Sequence, residues 1–244
     1  MKTIILGDTH GKSLWKLAIN QESPDKVVFI GDYFDTHDNI SAVEQIHNFK
    51  EILQYKKDHS EVVLLIGNHD HHYFPEIGYT GTSGYQRRAA KNIEFIINEN
   101  RDQLIMAHSF DNILCTHAGV SEEWMNLVHS NENFEEPLPT GSAEIAAWVN
   151  SIWKYKPRYF QFNGVESSGN DTYQTPIWIR PGSLVRASKN LKNSGIVQVV
   201  GHTQVREINL EGANELGLYC IDALGTSREY LIIENQTFTI GFIK

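Results

Sequence analysis

Five short polar clusters, each tied to a glycine, punctuate the 244-residue chain: Gly7-Asp8-Thr9-His10-Gly11, Gly31-Asp32-Tyr33-Phe34-Asp35, Gly67-Asn68-His69-Asp70, Thr116-His117-Ala118-Gly119 and Gly201-His202-Thr203. Each stands just after a short apolar run. Residues 3–6, 26–30 and 61–66 are brief, β-branched and followed at once by glycine, as buried strands are; residues 112–115 precede His117 and residues 196–200 precede His202. In open α/β sheets, ligands collect at the carboxyl ends of strands, where loops are free of packing duties. The repeated grammar therefore predicts a fold that brings all five clusters to one sheet edge.

The elements between the clusters support an α/β chain. Residues 40–58 carry Val43, Ile46, Phe49, Ile52 and Leu53 at helical spacing, so strand, helix and strand form a right-handed parallel unit. A second helix is expected over 86–98, with Ala89, Ala90, Ile93, Ile96 and Ile97 on one side, then strands over 103–107 and 112–115 around a Phe110-Asp111 turn. The tail reads as all-β, with strands at 196–200, 205–210, 216–221, 230–234 and 237–242. Two sheets packed face to face with helices outside are the expected product. The length suits one domain, 1–244, with an irregular insertion at about 131–175. That insertion holds Pro137, Pro139, Pro157, Gly141, Gly164 and Gly169 around one helix near 142–153. Its aromatic residues Trp148, Trp153, Tyr155, Tyr159, Phe160 and Phe162 are expected to pack, with substrate contact or dimerisation as the other uses.

Composition narrows the function classes. A net charge of -9 argues against the broad basic surface that nonspecific DNA or RNA binding uses, so nucleic acid is not an expected partner. Cys115 and Cys220 sit inside apolar runs and read as buried thiols of a reducing cytosol. Met1 leads straight into a strand-like run and no apolar stretch is long enough to span a bilayer; a soluble, cytoplasmic protein with no membrane partner is expected. A phosphate-binding P-loop fails at Gly7 to Ser13 because three residues, not four, separate the glycines. No Cys-x-x-Cys or Gly-x-Ser-x-Gly motif supports zinc-finger or serine-nucleophile chemistry. His71, His72 and His37-Asp38 read as solvated loop.

The chemistry of the clusters is that of a metal site. Asp8 and His10, at i and i+2 of extended backbone, point the same way and can share one ion. A carboxylate such as Asp32 can bridge two cations about 3.5–4 Å apart, the spacing that clamps an attacking and a leaving oxygen in phosphoester hydrolysis.

In this order the motifs resemble the calcineurin-like metallophosphoesterase superfamily, whose pattern is GDxH, GDxxD, GNH(D/E), an isolated His and then GH; the resemblance runs from residue 7 to residue 203. It implies a four-layer α-β-β-α metallophosphatase sandwich of two mixed sheets flanked by helices. Within the superfamily the chain is most similar to the phosphoprotein phosphatase branch, which includes bacterial and phage-type serine/threonine phosphatases and symmetrical dinucleoside tetraphosphatases. That finer likeness rests on Gly31 to Asp35, on Trp178-Ile179-Arg180-Pro181, and on Gly201-His202-Thr203 followed by Cys220-Ile221-Asp222-Ala223-Leu224-Gly225.

By resemblance, one metal takes Asp8, His10 and bridging Asp32, and a second takes Asp32, Asn68, His117 and His202. His69 is then the general acid, Asp35 orients it, Asp70 is structural and Arg180 binds phosphate, with Arg87 and Arg88 as lesser candidates. The acidic ligands suit two divalent ions such as Mn²⁺, and the mixture with imidazole also admits Fe or Zn. The implied activity is hydrolysis by a water activated between the ions, of the phosphomonoesterase type that acts on a phosphorylated protein or small phosphoester. Dinucleoside polyphosphate hydrolysis or phosphodiester cleavage is the alternative. A non-catalytic scaffold would show eroded ligands, and here none is missing. Two departures refine the picture: Thr36 stands where the branch usually has a phosphate-binding Arg, and Gln204 stands where many phosphodiesterases carry another metal-binding His.

Overall fold

The computed structural model describes residues 1–78, 82–163 and 168–244. The apolar runs form β1 (Lys2–Leu6), β2 (Lys26–Phe29), β3 (Val62–Leu65) and the short β4 (Leu104–Ile105), four parallel neighbours. β5 (Ala107–Phe110), β6 (Ile113–Thr116), β7 (Val197–Val200) and β8 (Leu218–Cys220) make a second sheet, antiparallel at β5 and parallel beyond it. β9 (Glu229–Glu234) and β10 (Thr237–Phe242) return to the first sheet as an antiparallel hairpin beside β1, giving the order β10-β9-β1-β2-β3-β4. Both sheets are mixed, as expected.

Strand alternation builds two cores. Ile4, Leu6, Val27, Phe29 and Leu64 pack with Trp15 and Ala18 of α1 (Leu14–Glu22) and with Phe49, Ile52 and Leu53 of α2 (Ala42–Asp58). The alternate residues Ile5, Val28 and Leu65 meet Ile113, Cys115, Val199 and Tyr219 of the second sheet. A residue slip of one would exchange the two faces, so each register is fixed by its burial. Four further helices follow: the single turn α3 (Asn68–His71), then α4 (Ala90–Glu99), α5 (Glu122–Glu132) and α6 (Ser142–Tyr155). On the outside of the second sheet, Leu184 of α7 (Pro181–Ala187) packs with Ala118, Ile179, Val200 and Leu218. The short helices α8 (Lys189–Asn193) and α9 (Leu210–Leu216) flank β7 in the sequence. The result is the four-layer sandwich of two mixed sheets between helices. α2 is held at its start by a capping box in which Ser41 and Glu44 exchange hydrogen bonds.

Several expectations are corrected. Residues 205–210 form no strand: the chain runs irregularly to Asn209, whose side chain accepts the Gly212 N–H at 3.0 Å to start α9, and Gly217 at φ 66° ends it. Cap chemistry at both ends outweighs the alternating pattern. The run 103–107 is not one strand either, because the chain leaves the first sheet after Ile105 and enters the second at Ala107. Asn150 of α6 secures the crossing, its Oδ1 accepting from the Met106 and Ala107 N–H groups at 2.9 and 3.0 Å. Residues 86–89 are turn rather than helix, and α1 and α5 have no counterpart in the sequence reading. Within the 131–175 stretch, Trp153 and Phe160 are buried and packed edge to face, while Tyr155 is exposed; Gly164 lies outside the described residues. Cys115 is buried and Cys220 half-buried, both as free thiols. Among the described residues, no helix is long and apolar enough to cross a membrane.

Candidate metal and catalytic site

β1, β2 and β3 end one residue before Gly7, three before Asp32 and three before Asn68, while β6 and β7 end beside His117 and Gly201. All five clusters meet at this edge. Close approach of the strand ends demands the glycines: a Cβ on Gly67 would strike the Asp32 carboxylate, and one on Gly201 would strike that of Asp8. Asp70 ties two clusters together, accepting from the N–H groups of Asp32 at 2.7 Å, Tyr33 at 2.8 Å and Gly67 at 2.9 Å.

Asp32 is buried at the middle. Its Oδ1 accepts the His69 N–H at 2.9 Å, which leaves Oδ2 3.8 Å from His10 Nε2 and 3.4 Å from His117 Nε2. Donor atoms of Asp8, His10 and Asp32 lie within 4.8 Å of one another, a candidate metal site. On the other side, Asn68 Oδ1 lies 3.0 Å from His117 Nε2 and 2.9 Å from His202 Nδ1. The structure thus brings together all six proposed metal-binding residues.

The three imidazoles share one device. His10 Nδ1 donates to the Phe34 carbonyl at 2.7 Å, His117 Nδ1 to the Ile30 carbonyl at 3.0 Å and His202 Nε2 to the Trp178 carbonyl at 3.1 Å. A carbonyl can only accept, so the ring proton sits on that nitrogen and the opposite nitrogen presents a lone pair inward. His117 and His202 then aim lone pairs at the amide oxygen of Asn68, with a carboxylate oxygen close by. Acceptors facing acceptors repel, and a divalent cation among them turns that repulsion into coordination.

Charge tells the same story. Burial, with the nearby Asp222 and Asp32 carboxylates, pushes Asp8 well up from the ordinary carboxylate range. Asp32 is held well below that range: burial opposes this, and the surrounding His117, His69 and His10 overcome it. Burial lowers both His10 and His202, which favours the neutral ligand form. Burial and the Asp32 carboxylate raise Asp222 to about 6, against a hydrogen bond that it shares with Asp8. The donor set and its surplus of negative charge fit divalent metal ions.

Beside the metal residues lies the proposed acid. His69 Nδ1 is 3.3 Å from Asp35 Oδ2, and burial of the imidazole is outweighed by the Asp32 and Asp35 carboxylates, so its pKa is raised. Arg180 is half-buried and stands at the N-cap of α7. Its Nε donates to the Ser168 carbonyl at 3.0 Å and its Nη1 to Thr203 Oγ1 at 3.1 Å and the His202 carbonyl at 3.3 Å. A cavity of about 450 Å³ is lined by His10, Asp32, Asn68, His69, Arg180 and His202 together with Thr82, Ser83, Phe162 and Trp178. Arg87 and Arg88 are exposed on a turn outside that lining. Thr36 is buried and its Oγ1 accepts the Asp38 N–H at 3.0 Å, so it closes a turn where the branch usually has an arginine. Gln204 is exposed.

Four residues here escaped the sequence reading. His71 and His72 are buried rather than solvated, and His72 Nε2 lies 2.7 Å from Asp35 Oδ2. Tyr73 donates from its hydroxyl to Asp35 Oδ1 at 2.5 Å. Asp222, named above only as part of a motif, shares a hydrogen bond with Asp8. Taking Gly67 to Asp70 as a loop hid the first three: in a helical turn, position 72 falls beside position 69.

The backbone of the site is unusual as well. His10, Asp32, Asp35 and His202 all adopt left-handed conformations, at φ 43°, 52°, 61° and 62°.

The family model for calcineurin-like phosphoesterase matches residues 1–206. Among solved structures, a metallophosphoesterase from Sphaerobacter thermophilus is 12% identical at a TM-score of 0.48, with 100% of this chain and 89% of that chain covered. Yfce, a phosphoesterase from E. coli, is 13% identical at a TM-score of 0.37, with both chains covered in full. No curated protein matches the chain.

Proposed function

Since the chain belongs to the calcineurin-like phosphoesterase family and is a metal-dependent phosphoester hydrolase, we propose that it cleaves phosphomonoesters, in the manner of the serine/threonine phosphatase branch. The observation that carries this reading is the pair of inward-facing donor sets sharing Asp32: Asp8 and His10 on one side, Asn68, His117 and His202 on the other. Two divalent ions, Mn²⁺ by the carboxylate ligands, would supply Lewis acidity and lower the pKa of the attacking water.

The chain's own groups do the rest. Arg180, anchored on three acceptors, presents a fixed cation to the phosphoryl oxygens. His69 holds a proton beside the cavity and delivers it to the leaving oxygen, with Asp35 fixing its tautomer. The absence of a histidine at position 204 favours monoesters over diesters.

A phosphorylated side chain or small phosphoester is the proposed substrate. One observation favours a second reading, a nucleoside or dinucleoside polyphosphate: Phe162 and Trp178 meet edge to face at 5.2 Å on the cavity wall and offer an aromatic surface to a base.

The test is a panel of phosphopeptide, p-nitrophenyl phosphate, bis-aryl phosphate, nucleotide and diadenosine tetraphosphate, run with Mn²⁺, Zn²⁺, Fe²⁺ and Mg²⁺. Turnover of the monoesters above the diesters supports the proposal, and preference for bis-aryl phosphate overturns it. Dominance of diadenosine tetraphosphate selects the second reading.

A further inference from the structure

Asp35 serves more than one partner. Its carboxylate is fully buried, with His69 Nδ1 at 3.3 Å and His72 Nε2 at 2.7 Å on Oδ2, and the Tyr73 hydroxyl at 2.5 Å on Oδ1. The Tyr73 oxygen in turn accepts the Gln86 N–H at 2.9 Å. Gly84 packs against the Asp35 backbone so closely that an added Cβ would lie 2.9 Å from its carbonyl oxygen. Thr82 and Ser83, which precede this contact in the sequence, line the catalytic cavity. The ring of Tyr85 stacks on Tyr73 at 5.0 Å and meets His72 edge-on at 4.8 Å, so both Asp35 partners are clamped from behind.

A carboxylate held on one oxygen by a single imidazole can swing about its side-chain torsions. Held at Oδ1 by the buried Tyr73 hydroxyl and faced at Oδ2 by the buried His72 Nε2, it cannot, and the hydrogen bond it accepts from His69 has one direction. We propose that Tyr73 and His72 are positioning residues for the His69 acid, which lock the Asp35 carboxylate and link it through Gln86 to the cavity-lining segment that begins at Thr82. Burial and the adjacent Asp35 carboxylate raise the Tyr73 pKa, so its hydroxyl stays a donor. Neither residue reaches the reacting atoms; both act through Asp35. The inference rests on the acid role given to His69 above.

Leaving-group dependence is the readout, because an acid matters most when the leaving oxygen is poor. Tyr73→Phe deletes one hydroxyl at almost unchanged volume. It is expected to lower kcat on an alkyl phosphate about tenfold and on p-nitrophenyl phosphate about twofold, with metal content and KM retained. On a His69→Asn background the same change should cost nothing further, since the two act as one unit. His72→Gln keeps a donor near the Nε2 position and should recover most of the alkyl-phosphate activity that His72→Leu loses.

A second readout needs no turnover. In ¹⁵N-histidine spectra of the Zn²⁺-loaded protein, Tyr73→Phe should move the His69 ring-nitrogen resonances. Equal losses on both esters, additive losses with His69→Asn, or unmoved His69 resonances overturn the proposal. If the wild-type protein cleaves neither ester with any metal, the functional reading fails instead, and the spectra still decide the positioning role.

Discussion

Asn68 Oδ1 and His202 Nδ1 lie 2.9 Å apart although 134 positions separate them in the chain. A second imidazole, that of His117, also following a strand of the second sheet, reaches the same oxygen at 3.0 Å. Replacing Asn68 or His117 by Ala removes one of the few donors at this point. Metal affinity is expected to fall at least about 10–100-fold, with aryl phosphate turnover falling alongside. Metal analysis of the dialysed protein and turnover with added Mn²⁺ check both, and near-wild-type values for either variant would remove the second metal shell.

Gly201 tests the close approach of backbone to ligand. A methyl group there collides with the Asp8 carboxylate, which also accepts the His202 N–H at 3.0 and 3.2 Å. Gly201→Ala should therefore displace Asp8 and weaken metal binding in calorimetric titration, at a folding cost of about 1–3 kcal/mol typical of overpacking.

Arg180 holds three acceptors and lines the cavity. A lysine keeps the charge and loses the planar fork, so Arg180→Lys is expected to lower kcat/KM about 10–100-fold, the worth of a charge-assisted hydrogen bond. An unchanged kcat/KM would take Arg180 out of phosphate binding.

His71 links the site helix to acid stability. Burial pushes its pKa down to about 3, its ring hydrogen-bonds the Pro157 backbone, and it packs on Trp153 at 5.4 Å. A histidine whose folded pKa lies below its unfolded value of about 6.5 contributes fully above that pH. The contribution is lost as pH falls from about 6.5 toward 3, up to about 5 kcal/mol in all. Comparing urea unfolding of the wild type and His71→Gln from pH 7 to pH 4 should show a shallower acid decline in the variant; parallel curves would contradict the assignment.

Much of the fold and most of the site could be read from the residues because strand-end placement is a local signal. β1, β2, β3 and β7 announce themselves by short β-branched runs ending near glycine, and the residues that follow them meet as expected. The losses have physical causes. Residues 205–210 alternate like a strand, yet the Asn209 cap and Gly217 decide for a helix. His71, His72 and Tyr73 follow a motif so often a turn that a single helical turn went unread. The roles of Asn150 and Asp222 depend on partners 43 residues away or more and on the meeting of the two sheets, which no local pattern announces.

Four residues of the site, His10, Asp32, Asp35 and His202, carry left-handed backbone. Most L-residues enter that region at a cost of about 1–2 kcal/mol, whereas Asp, His and Asn are several-fold enriched there. Residue choice at these positions therefore answers two demands at once, ligand chemistry and backbone handedness. Glu and Cys bind metals well but are not among the residues enriched in this backbone region, so exchange of one ligand type for another is restricted before any ion arrives. The vocabulary of this centre is set as much by chirality as by coordination.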